Sequence, residues 1–115
     1  MSLLQHVGVD YEALAMACKF YRNYGYRQIE TPWLISEDSA LSTSPDGTRG
    51  CAFVTDGGQY LVCSAERGFI EMLGRGALRS DTNYFSVSPC FRNEQLDSTH
   101  SKTFIKLELF AFFDE

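Results

Sequence analysis

Proline and positive charge are the scarce components of this chain: it has 3 prolines, and 10 Lys and Arg stand against 15 Asp and Glu, a net charge of −5 over 115 residues. This balance argues against a free-standing domain that grips nucleic acid through a broad basic surface, while leaving room for a local basic cluster. No apolar run approaches about 18 residues, and no charged segment followed by an apolar one opens the chain, so transmembrane and secretory readings both fail. The four cysteines, Cys18, Cys51, Cys63 and Cys90, form no CxxC pair. Neither a zinc site nor a thioredoxin-type centre is indicated, and reduced thiols in a cytoplasmic protein are the expectation.

What is present suits a packed core. Hydrophobic residues make up 44% and aromatics 14%, enough for a single domain of this length to fold without metal or disulfide staples. From Asp10 to Asn23 the apolar positions Leu14, Ala17, Cys18 and Tyr21 recur at spacings of three and four, which predicts an amphipathic helix capped by Asp10 and stopped at Gly25. Residues 26–35 read as a strand, with Ile29, Thr31, Trp33 and Ile35 on one side. Pro32 has no N–H to give a ladder, so the strand belongs at an edge or an interface. Residues 36–50 read as a loop, long enough to be functional. The segments 52–55 and 59–63 flank Asp56-Gly57-Gly58, a hairpin signal. A second helix follows, with Ser64 as N-cap, Phe69, Ile70 and Leu73 as its buried stripe and Gly74 as its end.

Alternation governs the last third. Phe85, Val87 and Phe91 separate from Ser86, Ser88, Cys90, Arg92 and Glu94, predicting one core face and one polar face. Ile105, Leu107, Leu109, Ala111 and Phe113 form an apolar face opposite Phe104, Lys106, Glu108 and Phe110. Two antiparallel strands joined by residues 95–102 therefore place Arg92, Glu94, Phe104, Lys106 and Glu108 on one surface. A guanidinium there matches phosphate oxygens, and a phenylalanine ring offers a base a stacking platform. The residues alone leave a second reading open, in which Arg92 pairs with Glu94 or Glu108 across the strands and Phe104 packs under a helix. His100 is then a solvated loop residue, and Glu66 only favourable charge at a helix N-terminus.

Tyr24-Gly25-Tyr26-Arg27-Gln28-Ile29-Glu30-Thr31-Pro32-Trp33-Leu34, following a helix, resembles motif 1 of the class II aminoacyl-tRNA synthetases. Ser88-Pro89-Cys90-Phe91-Arg92-Asn93-Glu94, then a loop, His100, Phe104 and Lys106-Leu107-Glu108-Leu109, resembles motif 2. Cys63-Ser64-Ala65-Glu66 is similar to the Thr-x-Glu loop of the seryl, prolyl and threonyl enzymes, with serine in place of threonine. The resemblance implies an α+β fold, an antiparallel sheet with helices on one face, forming a partial, truncated synthetase core over residues 1–115.

It also implies roles. Pro32 would lie in a homodimer interface. Arg92 would bind the α-phosphate of ATP and act in catalysis, with Glu94, His100 and Phe104 completing the ATP site. Ser64, Glu66 and Glu108 would hold the amino acid. Mg²⁺ would accompany the phosphates, with no protein ligand identified for it. The expected reaction is attack of an amino acid carboxylate on ATP, giving an aminoacyl-adenylate and pyrophosphate. The family's motif 3, a glycine-rich segment ending in a second arginine, has no counterpart after motif 2, where the sequence ends at Glu115. A non-catalytic paralogue serving as a nucleotide-binding, regulatory or dimerisation module is thus the alternative expectation. The charge balance argues against tRNA binding by this chain alone.

Overall fold

A computed structural model describes residues 9–41, 53–91 and 103–113. Asp10 opens the first helix as its position predicts: its carboxylate accepts the Ala13 N–H at 3.0 Å, and α1 runs Tyr11–Asn23. Cys18 is buried, and Leu14, Ala17 and Tyr21 are half-buried beside it. The helix ends at Tyr24, and Gly25 then turns the chain with a φ of +93°.

Residues 26–35 form two short strands rather than one. The first, β1 (Arg27–Gln28), pairs in parallel with β5 (Tyr84–Phe91), and the second, β2 (Leu34–Ile35), pairs antiparallel with β4 (Tyr60–Leu61). Pro32 stands between them. A residue without an N–H cannot carry a ladder through, so the chain leaves one sheet and enters another. The predicted alternation survives the break at Ile29, Thr31 and Ile35, but Trp33 turns outward, 53% exposed, with its ring 6.2 Å from that of Phe91.

The long loop predicted after Ile35 contains a helix, α2 (Glu37–Leu41). Ser36 explains it. Its hydroxyl oxygen accepts the Ser39 N–H at 3.3 Å, its carbonyl accepts the Ala40 N–H at 2.9 Å, and Glu37 and Asp38 put negative charge in the first turn. The hairpin forms as expected between β3 (Phe53–Val54) and β4, with Thr55 N–H bonded to the Gln59 carbonyl at 2.7 Å and Gly58 at a φ of +76°. The next helix, α3, runs Ala65–Gly74. Its buried side differs from the predicted stripe: Ala65, Gly68, Phe69 and Glu71 are buried, Ile70 is half-buried and Leu73 is 46% exposed. The Cβ direction of the helix carries the contact around to the 65, 68, 69 face, and this takes Leu73 out to solvent.

Strand β5 pairs antiparallel with β6 (Thr103–Phe110) from Tyr84↔Phe110 to Phe91↔Thr103. The two sheets, β1-β5-β6 and β2-β4-β3, meet where the Phe91 N–H donates to the Val62 carbonyl at 3.0 Å. The helices do not share a face. Tyr21 of α1 contacts Phe85, whereas Phe69 of α3 stacks on Phe110, the register partner of Tyr84. Tyr84 and Phe85 are successive strand residues, so the two helices lie on opposite sides. This also corrects the polar face predicted for β5. Ser86, Ser88 and Cys90 are as buried as Phe85, and the Thr31 and Ser86 hydroxyls bond at 2.9 Å. The apolar side of β6 is the open one, with Ile105 and Leu109 exposed.

Two apolar clusters hold these layers. One gathers Ile35, Ala40, Tyr60 and Val62 with Phe91, and the other gathers Ala65, Phe69 and Tyr84 with Ile29, Leu78, Phe110 and Phe112. Between them α3 crosses the Thr31–Pro32 backbone at Gly68. A Cβ there would lie 2.9 Å from Thr31 Cβ and 3.3 Å from the Pro32 carbonyl oxygen, with no flexible side-chain end to move aside. Gly68→Ala is therefore expected to destabilise the domain by roughly 1–3 kcal/mol through overpacking. Gly74→Ala, in the same helix with nothing within 4 Å of its added carbon, should be neutral or slightly stabilising. Urea denaturation of the two variants checks both, and equal midpoints would contradict the close approach.

Candidate functional site

The polar surface expected on the last two strands is built as far as the described residues reach. Register places Phe104 opposite Cys90, Lys106 opposite Ser88 and Glu108 opposite Ser86. Alternation puts all six on the side of the sheet that α3 covers near Phe110. Arg92, Glu94 and His100 lie outside the described residues, as does the connection between the strands.

Glu108 has an unusual environment. Its Oε1 is buried without a hydrogen-bond partner, and it forms an ion pair with half-exposed Lys106, whose Nζ lies 3.4 Å away. A buried carboxylate oxygen left in this state costs roughly 1–3 kcal/mol. Such a group can accept a proton-bearing nitrogen or hydroxyl without first giving up an internal hydrogen bond.

Ser64 occupies the N-cap position of α3 in extended backbone, yet its side chain makes no cap bond. It is buried, and Glu66 is exposed one turn into the helix start. The sequence thus places the cap correctly, while the hydroxyl does not serve the helix. Pro32 is half-buried between buried Thr31 and exposed Trp33.

Sequence reasoning missed a heavily bonded side chain of α3, Glu71. Glu71 Oε1 accepts the Ser36 N–H at 3.0 Å, the Ser36 hydroxyl at 2.8 Å and the Ser39 hydroxyl at 2.7 Å, and Oε2 pairs with Arg75. The Ser36 amide first, then the Ser39 hydroxyl, hold its carboxyl down from the ordinary 4.5 to about 2, against burial that alone would raise it. The signal was available: a mid-helix glycine marks the closely packed side of α3, and position 71 lies three residues on along that side.

Among the described residues, no group of three or more His, Cys, Asp or Glu side chains could hold a metal ion, and no helix is long and apolar enough to cross a membrane. The described cysteines, Cys18, Cys63 and Cys90, are buried free thiols.

Comparison with known proteins covers nearly the whole chain. Residues 3–115 match the family described as tRNA synthetases class II (D, K and N). A lysine–tRNA ligase from Mycoplasmoides gallisepticum is 26% identical over 100 residues, covering 87% of this chain and 19% of its own. The pyrrolysyl-tRNA synthetase of Desulfitobacterium hafniense superposes with a TM-score of 0.69 at 20% identity, covering 93% of this chain and 40% of that one. Seryl-tRNA synthetase from Pyrococcus horikoshii, solved with ATP, gives 0.69 at 23% identity over 87% and 25%. At these identities the superpositions establish the fold. The chain spans between 16% and 20% of the length of the curated relatives it matches.

Because the Glu71 carboxyl is depressed in the folded state, its contribution to stability is complete above about 4.5 and is lost as pH falls toward about 2. With Arg75 60% exposed on one side of the carboxylate, that contribution is on the order of 2 kcal/mol. Glu71→Gln should lower stability at pH 7 and flatten the acid limb. Denaturant midpoints of both proteins between pH 7 and 3 test this, and parallel curves would show that the carboxylate is not the cause.

Proposed function

This chain belongs to the class II tRNA synthetases (D, K and N), and on that basis we propose that it binds ATP and an amino acid at the face formed by β5, β6 and the start of α3 and joins them as an aminoacyl-adenylate. The observation that carries this reading is the unsatisfied Glu108 oxygen on the same side of the sheet as Phe104 and Lys106. The Ser64 hydroxyl, which makes no cap bond to its helix, adds to it. Glu108, Ser64 and Glu66 then receive the amino acid and its ammonium group. Phe104 stacks on adenine, and Arg92, Glu94 and His100 complete the nucleotide site.

Class II synthetases use ATP and Mg²⁺. The magnesium supplies positive charge to the phosphates when bound, and no residue described here is assigned to it. In the reaction the amino acid carboxylate oxygen attacks the α-phosphorus, the bond from that phosphorus to the bridging oxygen breaks, and pyrophosphate leaves with the electron pair. Nucleophile and leaving group are both anionic, so the protein's part is alignment and compensation of charge rather than proton transfer. Arg92 provides that compensation through its two-pronged donor geometry.

The second element of the proposal is a homodimer through α1 and the Pro32 segment. Met16, Phe20 and Tyr24 follow at spacings of four along one side of α1, all more than half exposed, and Trp33 is exposed beside Pro32. Large apolar side chains grouped this way suit a protein interface better than solvent. The net charge of −5 leaves tRNA outside the proposal.

Isothermal titration should detect ATP binding that weakens roughly 10- to 100-fold in Arg92→Ala. Pyrophosphate exchange that stays absent with every amino acid would reduce the reading to nucleotide binding, and no nucleotide binding at all would leave a dimerisation module. For Glu108→Gln the expected result is nearly unchanged thermal stability without ligand, together with loss of amino acid binding, since the replaced group has no hydrogen bond at Oε1 and only an ion pair to half-exposed Lys106 to lose. Sedimentation at micromolar concentration should show a dimer, and a monomer would contradict the interface.

A further inference from the structure

The turn 62–66 joins β4 to α3 and carries Ser64 and Glu66. Both of its flanks are tied to one short segment, residues 33–39. On the strand side, Leu34 and Ile35 pair with Leu61 and Tyr60, and the Val62 N–H donates to the Trp33 carbonyl at 2.8 Å. On the helix side, two turns after Ser64, Glu71 collects the Ser36 N–H and the hydroxyls of Ser36 and Ser39. The Gly68 contact with Thr31 and Pro32 lies between these ties. Strand, helix and segment thus close a triangle, and the turn is its apex.

We infer that Glu71 is a positioning residue that sets the angle between β4 and α3 and so places Ser64 and Glu66 for an amino acid substrate. This rests on the amino acid reading of that turn given above. Glu71 reaches no substrate itself. It acts because its acceptor oxygen takes three donors from the segment that also pairs with β4. Three converging hydrogen bonds on one oxygen add directional restraint to the apolar packing and so fix the helix register. A misplaced turn should weaken the ligand it holds and spare a ligand held elsewhere. Amino acid binding is therefore the sensitive property, and ATP binding, assigned to the β5–β6 side, is the insensitive one.

The test compares wild type, Glu71→Gln and Ser39→Ala, the last removing one donor and keeping the carboxylate in case the first folds poorly. Hydrogen exchange without ligand should rise in Glu71→Gln at the amides of residues 64–68 and 36–40 and stay unchanged in β5 and β6, with a smaller rise of the same pattern in Ser39→Ala. Titration with L-lysine, L-aspartate and ATP at pH 7 should then show affinity for whichever amino acid the wild type binds falling about tenfold or more in Glu71→Gln, with ATP affinity within about twofold. Exchange that is unchanged at 64–68, or raised uniformly through the domain, overturns the inference, as does a parallel loss of ATP and amino acid affinity. A wild type that binds none of the three ligands would sink the functional reading and with it the substrate-placing role, while unaltered β5–β6 exchange would still separate that failure from one of the clamp.

Discussion

The contact of Gly68 with the Thr31–Pro32 backbone is the constraint on which the rest of the domain depends. Helix α3 comes so close there that no side chain fits between, and this closeness has consequences in two directions. Toward the sheet, it brings α3 down far enough for Phe69 to stack on Phe110 at 5.0 Å and for Ala65 to be fully buried. Toward the chain's other crossing segment, it lets Glu71 reach Ser36 and Ser39. A bulkier residue at 68 would lift the helix from both partners at once, because dense interiors transmit displacement rather than absorb it.

Pro32 supplies the complementary constraint. By ending one ladder before another begins, it moves the chain from the sheet built on β5 to the sheet built on β4 within a few residues. Thr31, the residue before it, is buried and uses its hydroxyl on Ser86 of β5, while the carbonyl of Trp33, the residue after it, accepts the Val62 N–H beyond β4. One proline thus stitches both sheets, and α3 rests on the stitch.

Local signals made much of this legible in sequence. Asp10 ahead of a three-and-four spacing, Asp56-Gly57-Gly58 between β-rich segments, and the alternation from residue 103 to 110 each specify geometry within a few residues, and each element formed there. What local pattern does not encode is which side of an element another element will cover. Ser86 and Ser88 look like a solvent face because they are polar, but both are buried, and Thr31, 55 residues away, bonds the Ser86 hydroxyl. Leu73 looks like core because it is apolar, and the docking of α3 turns it out. The site divides along the same line. Ser64 at the cap and Glu108 in register were readable from short-range rules, whereas Glu71 becomes meaningful only when Ser36, 35 residues away, folds against it. The class-level resemblance was carried by motif order and is shown by the family match over residues 3–115, which names the D, K and N group rather than the seryl, prolyl and threonyl one.

Two carboxylates a few ångströms into the same fold illustrate how structure and function separate. Glu71 has a partner for each oxygen and a carboxyl held near 2; it is fully used by the fold, and its charge serves to fix a helix. Glu108 has a buried oxygen with no hydrogen bond and an ion pair to half-exposed Lys106. Packing made its burial inevitable once β6 paired with β5, since Ser86 across the ladder is itself engaged by Thr31. A neutral residue at 108 would give up only the ion pair to half-exposed Lys106 and would remove a cost of roughly 1–3 kcal/mol for the buried oxygen without a hydrogen bond. Unsatisfied polarity on a rigidly framed surface is the condition a ligand reverses on binding. Among the described residues Glu108 Oε1 is the buried side-chain oxygen in that condition, and the proposed binding site is built around it.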